Sequence, residues 1–159
     1  MEKKNSLRWY KVKEKPNKEN IYDGSLESTL LFKARTDSLE VNEKKKRWGG
    51  ETDRCEKCIE DGTNSQIETL EHFIAECKAY ETERADFENK IKNRIGEGVW
   101  ERRKMEDDRG IKLILGLEKN RGVVDDTKLY LREIWKKRGK KQKNQVTDVV
   151  EHNYTKRNI

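Results

Sequence analysis

Cys55 and Cys58, followed by His72 and Cys77, are the residues whose types and spacing carry chemistry. Two residues separate the first pair, thirteen follow it, and four lie between His72 and Cys77; every cysteine of the chain falls in this window. Three thiolates and one imidazole are a donor set that Zn²⁺ takes in a tetrahedron. The two-residue gap suits a tight turn aiming both sulfurs at one ion. The return pair lies on "LEHFIAEC", a helical stretch in which His72 and Cys77, about one turn on, would face the same ion. Three unrelated thiols would not account for the clustering or for the histidine. Four protein ligands leave no position for water or substrate, so the expected zinc is structural, one per chain, and its binding energy becomes folding energy.

The elements that must position these ligands have little apolar material. Of 159 residues, 31% are hydrophobic and 43% are charged, near the composition of chains that stay disordered. Such a length can bury one modest core, which a metal would complete. A pattern of three- and four-residue spacing begins after Ser25, with Leu26, Leu30, Leu31 and Ala34, and Ser25 and Ser28 offer N-cap hydroxyls. "RTDSLEVN" breaks this helix, a short basic helix over 42–48 follows, and Gly49–Gly50 ends it. Ile67, Leu70, Phe73 and Ile74 form an apolar stripe. A longer helix is expected over 79–95, with Tyr80, Phe87, Ile91 and Ile95 on one face. Gly96 and Gly98 interrupt it, one or two further turns follow, "IKLILGL" at 111–117 is core, and a last helix covers 124–138. The expected architecture is all-α, mostly helical, with a small zinc-binding β-hairpin or knuckle. It comprises a basic N-terminal arm over 1–24, docked by Trp9, Tyr10 and Val12, one zinc-stapled helical domain over 25–138, and a basic tail over 139–159 expected to be disordered.

Charge is distributed unevenly. Residues 1–20 sum to +4 and 136–159 to +6, while 51–90, around the ligands, sum to −7. A phosphate backbone would therefore be met by Lys44, Lys45, Lys46 and Arg47, and by Lys136, Lys137, Arg138, Lys140, Lys141 and Lys143, rather than by the acidic metal loop. Trp48 either stacks on a base beside these lysines or caps the helical core. The two basic runs also fit nuclear localisation segments, or simply solvated charge.

Several residues together resemble the zinc-binding segment C-terminal to the polymerase in non-LTR retrotransposon reverse transcriptases. That family shows an Arg-Thr-x-x-Leu stretch, a Cys-x2-Cys, a Glu-x-x-x-His-Phe and a final Cys followed by an aromatic and an Arg. Here these are Arg35, Thr36, Leu39, Cys55, Cys58, Glu68, His72, Phe73, Cys77, Tyr80 and Arg84, within residues 33–88. "ILGLE…VVDDTKLYLREIWKKR" is more loosely similar to the helical tail after that module, where a Leu-Gly step precedes a helix ending in Trp and bases. The resemblance implies a detached retrotransposon piece, or a cellular protein derived from one, that helps hold RNA or DNA.

Catalysis is not expected. No polymerase aspartate pair, nuclease constellation or phosphate loop appears; the Asp-Asp steps at 107–108 and 125–126 lie in polar or helical surroundings and are expected at the surface, as is His152. No apolar run approaches the length of a membrane span, and the start lacks a secretory signal. Metal-ligand cysteines point to a reducing compartment, nuclear or cytoplasmic. Two classes remain: a nucleic-acid-binding module with basic arms, or a protein-interaction or structural subunit docking a basic partner on its acidic zinc face. Neither takes a small-molecule substrate.

Overall fold

A computed structural model describes residues 21–106, 110–117 and 121–139; the arm residues Trp9, Tyr10 and Val12, the 107–108 pair, His152 and nearly all of the tail lie outside them. The described residues are mostly helical: α1 (Leu26–Arg35), α2 (Asn42–Arg47), α3 (Glu56–Glu60), a π-helical turn (His72–Glu76), a 3-10 turn (Lys78–Tyr80), α4 (Glu81–Ile95), α5 (Glu97–Met105), α6 (Ile111–Ile114) and α7 (Arg121–Gly139). None of these helices is long and apolar enough to cross a membrane.

Local chemistry sets the helix ends. Ser25 Oγ accepts from the Ser28 backbone N–H at 3.2 Å, the N-cap expected for α1. Thr36 closes that helix, donating its hydroxyl to the Phe32 carbonyl at 2.9 Å, and Asp37 turns the chain at φ 54°. Beyond α2 the chain folds back so that Gly50 N–H donates to the Lys45 carbonyl at 2.9 Å. A Cβ on Gly50 would sit 2.9 Å from that same carbonyl, so the return requires glycine.

The core forms where α7 packs against α1 and α4. Leu30, Leu31 and Ala34 of α1 meet Val123, Val124, Leu131 and Ile134 of α7 in one buried cluster with Phe87, Ile91, Trp100 and the 111–115 segment. Phe87 stacks on Tyr130, centroids 4.6 Å apart.

Three expectations change. The β-hairpin is absent among the described residues, replaced by one isolated antiparallel bridge, Arg54 to Ile67. The residues between are taken by α3 and a polar turn at Asp61–Gly62, which leaves no alternating run to extend the pairing. α5 is a nine-residue helix with Gly98 inside it and Trp100 buried, where only a turn or two was expected. Ile67, placed on the apolar stripe, is exposed.

Candidate metal centre

Two short segments present the four ligands. Cys55 is the N-cap of α3 and Cys58 lies in its single turn, so the two-residue gap becomes an i, i+3 pair on one face. The loop before α3 is held to the loop after it: Cys55 N–H donates to the Gln66 carbonyl at 2.8 Å and Glu68 N–H to the Asp53 carbonyl at 2.8 Å. On the return side, Cys77 N–H donates to the His72 carbonyl at 2.8 Å, an i+5 to i bond that closes the π turn. In an α-helix, residues five apart point roughly 140° apart around the axis. The wider turn brings His72 and Cys77 to one side, and such turns recur at functional sites.

All four donor atoms lie within 4.8 Å of one another, and all four residues are buried. The edges are 3.8 Å for Cys55 Sγ to Cys77 Sγ, 3.9 Å for Cys58 Sγ to Cys77 Sγ, and 3.4 Å for Cys58 Sγ to His72 Nε2. A tetrahedron with zinc–sulfur bonds of about 2.3 Å has sulfur–sulfur edges of about 3.8 Å, and a zinc–nitrogen bond of about 2.0 Å gives a sulfur–nitrogen edge of about 3.5 Å. The cluster is thus compatible with one zinc ion. No two cysteines are joined in a disulfide.

The electrostatics point the same way. The hydrogen bond from Cys77 chiefly, then His72, pulls the Cys55 thiol down to about 3, while that partnership with Cys55 and burial push Cys77 far above the ordinary thiol range. Burial raises Cys58 as well, with the Cys55 charge adding to it. Three buried sulfurs this close cannot all ionise unaided. A divalent cation removes the conflict, because coordination deprotonates thiols outright.

The surrounding contacts orient the ligands. Nε2 of His72 faces the sulfurs, which leaves Nδ1 buried without a hydrogen-bond partner, its nearest carboxylate that of Glu76 at 3.8 Å. Thr69 Oγ1 accepts from the His72 backbone N–H at 3.0 Å, Thr63 Oγ1 donates to the Cys58 carbonyl at 3.0 Å, and Arg84 Nη1 donates to the Cys77 carbonyl at 2.9 Å.

The candidate phosphate contacts divide. Lys44 is only 7% exposed and its ammonium is held by Asp37. Arg138 is held by Glu68 and Asn42 inside the fold. These two are spent on packing, contrary to a uniformly solvated basic face. Arg47 pairs with Glu43 and Lys137 with Glu83. Lys45, Lys46 and Lys136 are exposed; Lys46 Nζ donates to the Glu51 carbonyl at 2.8 Å and Lys136 lies 3.8 Å from Glu133. Lys140, Lys141 and Lys143 lie outside the described residues. Trp48 is 69% exposed and so does not cap the core. Of the acidic pair expected at the surface, Asp125 is exposed but Asp126 is buried against Arg94.

Two residues matter structurally more than their place in a sequence pattern indicates. Arg35 is fully buried and donates to the Leu115 and Gly116 carbonyls. Glu68 is a buried carboxylate that joins α2, the ligand loop and α7. Their membership of the Arg-Thr-x-x-Leu and Glu-x-x-x-His-Phe stretches was the available signal. No protein-family model, curated protein or solved structure matches this chain.

Proposed function

We propose that this chain is a non-catalytic zinc module, in which Cys55, Cys58, His72 and Cys77 hold one structural Zn²⁺ and the folded domain carries basic segments to RNA or DNA. One observation carries the zinc assignment: four buried donors whose separations fit the edges of a tetrahedron. With all four positions filled by protein, the ion supplies folding energy and has no site for a reacting water. Purified protein should contain about one zinc per chain, and Co²⁺ in its place should give the absorption of a tetrahedral thiolate site. A metal-free protein with its fold intact, or a disulfide within the cluster, would overturn the assignment.

The nucleic-acid role rests on the likeness to the retrotransposon segment and on the basic ends. Exposed Lys45, Lys46 and Trp48 at the close of α2, with Lys136 and the lysines at 140, 141 and 143, are the contacts this reading requires. Affinity should fall with salt, with a log–log slope of about −0.9 per phosphate contacted on duplex DNA. Replacing Lys45 and Lys46 by alanine should weaken binding to all sequences alike and flatten that slope by about one contact each. Lys44→Ala should instead act on stability, since its charge is already paired.

A second reading has its own observation. Ile59 and Ile67 each stand exposed on the metal loop, whose acidic charge suits a basic protein partner. If Lys45 and Lys46 prove neutral for nucleic acid while Ile59→Ser abolishes association with a protein, that reading replaces the first.

A further inference from the structure

The C-terminal end of α7 is tied to the ligand loop by more than packing. Arg138 donates from Nε to Glu68 Oε1 at 2.9 Å and from Nη2 to Glu68 Oε2 at 2.7 Å, a bidentate pair, and its guanidinium lies over the Trp135 ring at 5.0 Å. Nη2 also donates to Asn42 Oδ1 at 2.8 Å. Asn42 in turn donates through Nδ2 to the carbonyl of Arg54, the residue before the first ligand, at 2.7 Å. Its backbone N–H donates to Glu68 Oε2 at 2.7 Å. One turn earlier on α7, Trp135 meets Phe73 edge to face, and farther back along the helix Tyr130 donates to the carbonyl of Ile74, inside the π turn, at 2.6 Å. One helix therefore grips both ligand segments, the Cys55 side through Asn42 and the His72 side through Glu68 and Ile74.

We infer that the last turn of α7 is a working part of the metal centre, with Arg138 a positioning residue that acts through Glu68. The inference rests on the zinc reading above. Glu68 lies in the ligand loop four residues before His72 and is almost fully buried, so its carboxylate requires a partner wherever that loop is in place. Arg138 supplies that partner in a form lysine does not, because two parallel N–H bonds fix the carboxylate in orientation as well as position. When the metal orders the loop, Glu68 is presented to α7; when α7 closes, Glu68 and Asn42 hold both ligand pairs at their spacing. Coupling of this kind is reciprocal: what Arg138 adds to metal affinity, the metal adds to the order of the last turn. The basic stretch that continues past Gly139 then leaves from a point whose order depends on zinc.

The test compares zinc affinity, by competition with a chromogenic chelator, in the full chain and in Arg138→Gln, Arg138→Lys, Glu68→Gln and the Glu68→Gln/Arg138→Gln double variant. Arg138→Gln should lose about tenfold or more in affinity, the range seen when outer contacts of metal ligands are removed. Arg138→Lys should recover part of it. The double variant should lose no more than the worse single one, because the two residues act as one contact. Hydrogen exchange should show zinc-dependent protection of the 134–139 amides in the parent chain and not in Arg138→Gln, with α1 and the middle of α4 equally protected in both. Unchanged zinc affinity in Arg138→Gln, or additive losses, would reduce the contact to packing and overturn the inference. A parent chain that takes up no zinc would overturn the zinc reading itself.

Discussion

Chelating the metal, or replacing Cys58 or His72 by alanine, is expected to unfold residues 51–80 rather than loosen them. These residues have no strand ladder and no long helix of their own; α3 is five residues and the π turn another five. Their apolar side chains Leu70, Phe73 and Ile74 reach the core only if the loop between the ligand pairs is closed. Structural zinc supplies on the order of 10 kcal/mol or more in isolated zinc peptides, as much as the whole stability of many domains. Nothing else in the segment approaches that figure. Circular dichroism should lose part of its helical signal on chelation, the thermal transition should drop and broaden, and hydrogen exchange should localise the loss to 51–80 and the last turn of α7. The contacts between α1, α4 and α7 give the remainder a reason to persist. Acid should act like the chelator, because protons compete with the metal for the thiolates, so the stabilisation present at neutral pH is lost as pH falls. A melting temperature indifferent to chelator would show that the helices support this segment unaided.

The buried four-donor cluster was legible because cysteine and histidine are rare here and their spacing is short. The Ser25 cap, the Gly49–Gly50 stop and the 111–117 core were legible because each follows from a local rule. The π turn was not recognised, although its signal was present. A five-residue spacing between His72 and Cys77 does not fit one face of an α-helix, and only a wider turn reconciles it with a shared ion. The basic runs misled for a related reason. The whole of each run is a candidate for phosphate contact on charge alone, yet helical periodicity turns single members inward. Lys44 follows the fully buried Val41 by three, and Arg138 follows the buried Leu131 and Ile134 by seven and four. On those spacings both belong to the packed face, and both are indeed paired there. Asp126 is the same case, buried between Val123 and Tyr130 on the inner face of α7.

Arg35→Ala is expected to cost about as much as a large core deletion, although it lies far along the chain from the segment it holds. Arg35 is fully buried at the end of α1, and its Nε and Nη2 donate to the carbonyls of Leu115 and Gly116 at 2.7 and 2.8 Å, with Nη1 donating to the Tyr22 hydroxyl at 3.1 Å. Those two carbonyls close the short helix α6 and have no continuing helix to receive them. Removing the guanidinium strands both at roughly 1–3 kcal/mol each and leaves a cavity besides, so a total of about 3–5 kcal/mol is expected. Gly116 belongs to the same contact. It sits at φ 62°, and a Cβ there would lie 2.6 Å from Val124 Cγ2 and 3.1 Å from Arg35 Nη2, so Gly116→Ala should destabilise in parallel. Arg35→Lys keeps the charge but not the fork, and should recover only part of the loss. Urea unfolding of the zinc-loaded protein measures all three. A change under about 1 kcal/mol for Arg35→Ala would mean the clasp is incidental, since most ordinary substitutions already cost that much. Zinc content should stay at one per chain throughout, because the clasp joins α1 to α6 and touches none of the ligands. Arg35 at the end of α1 and the Leu115–Gly116 step, distant in the chain, thus meet in a single contact that ties α1 to the close of α6.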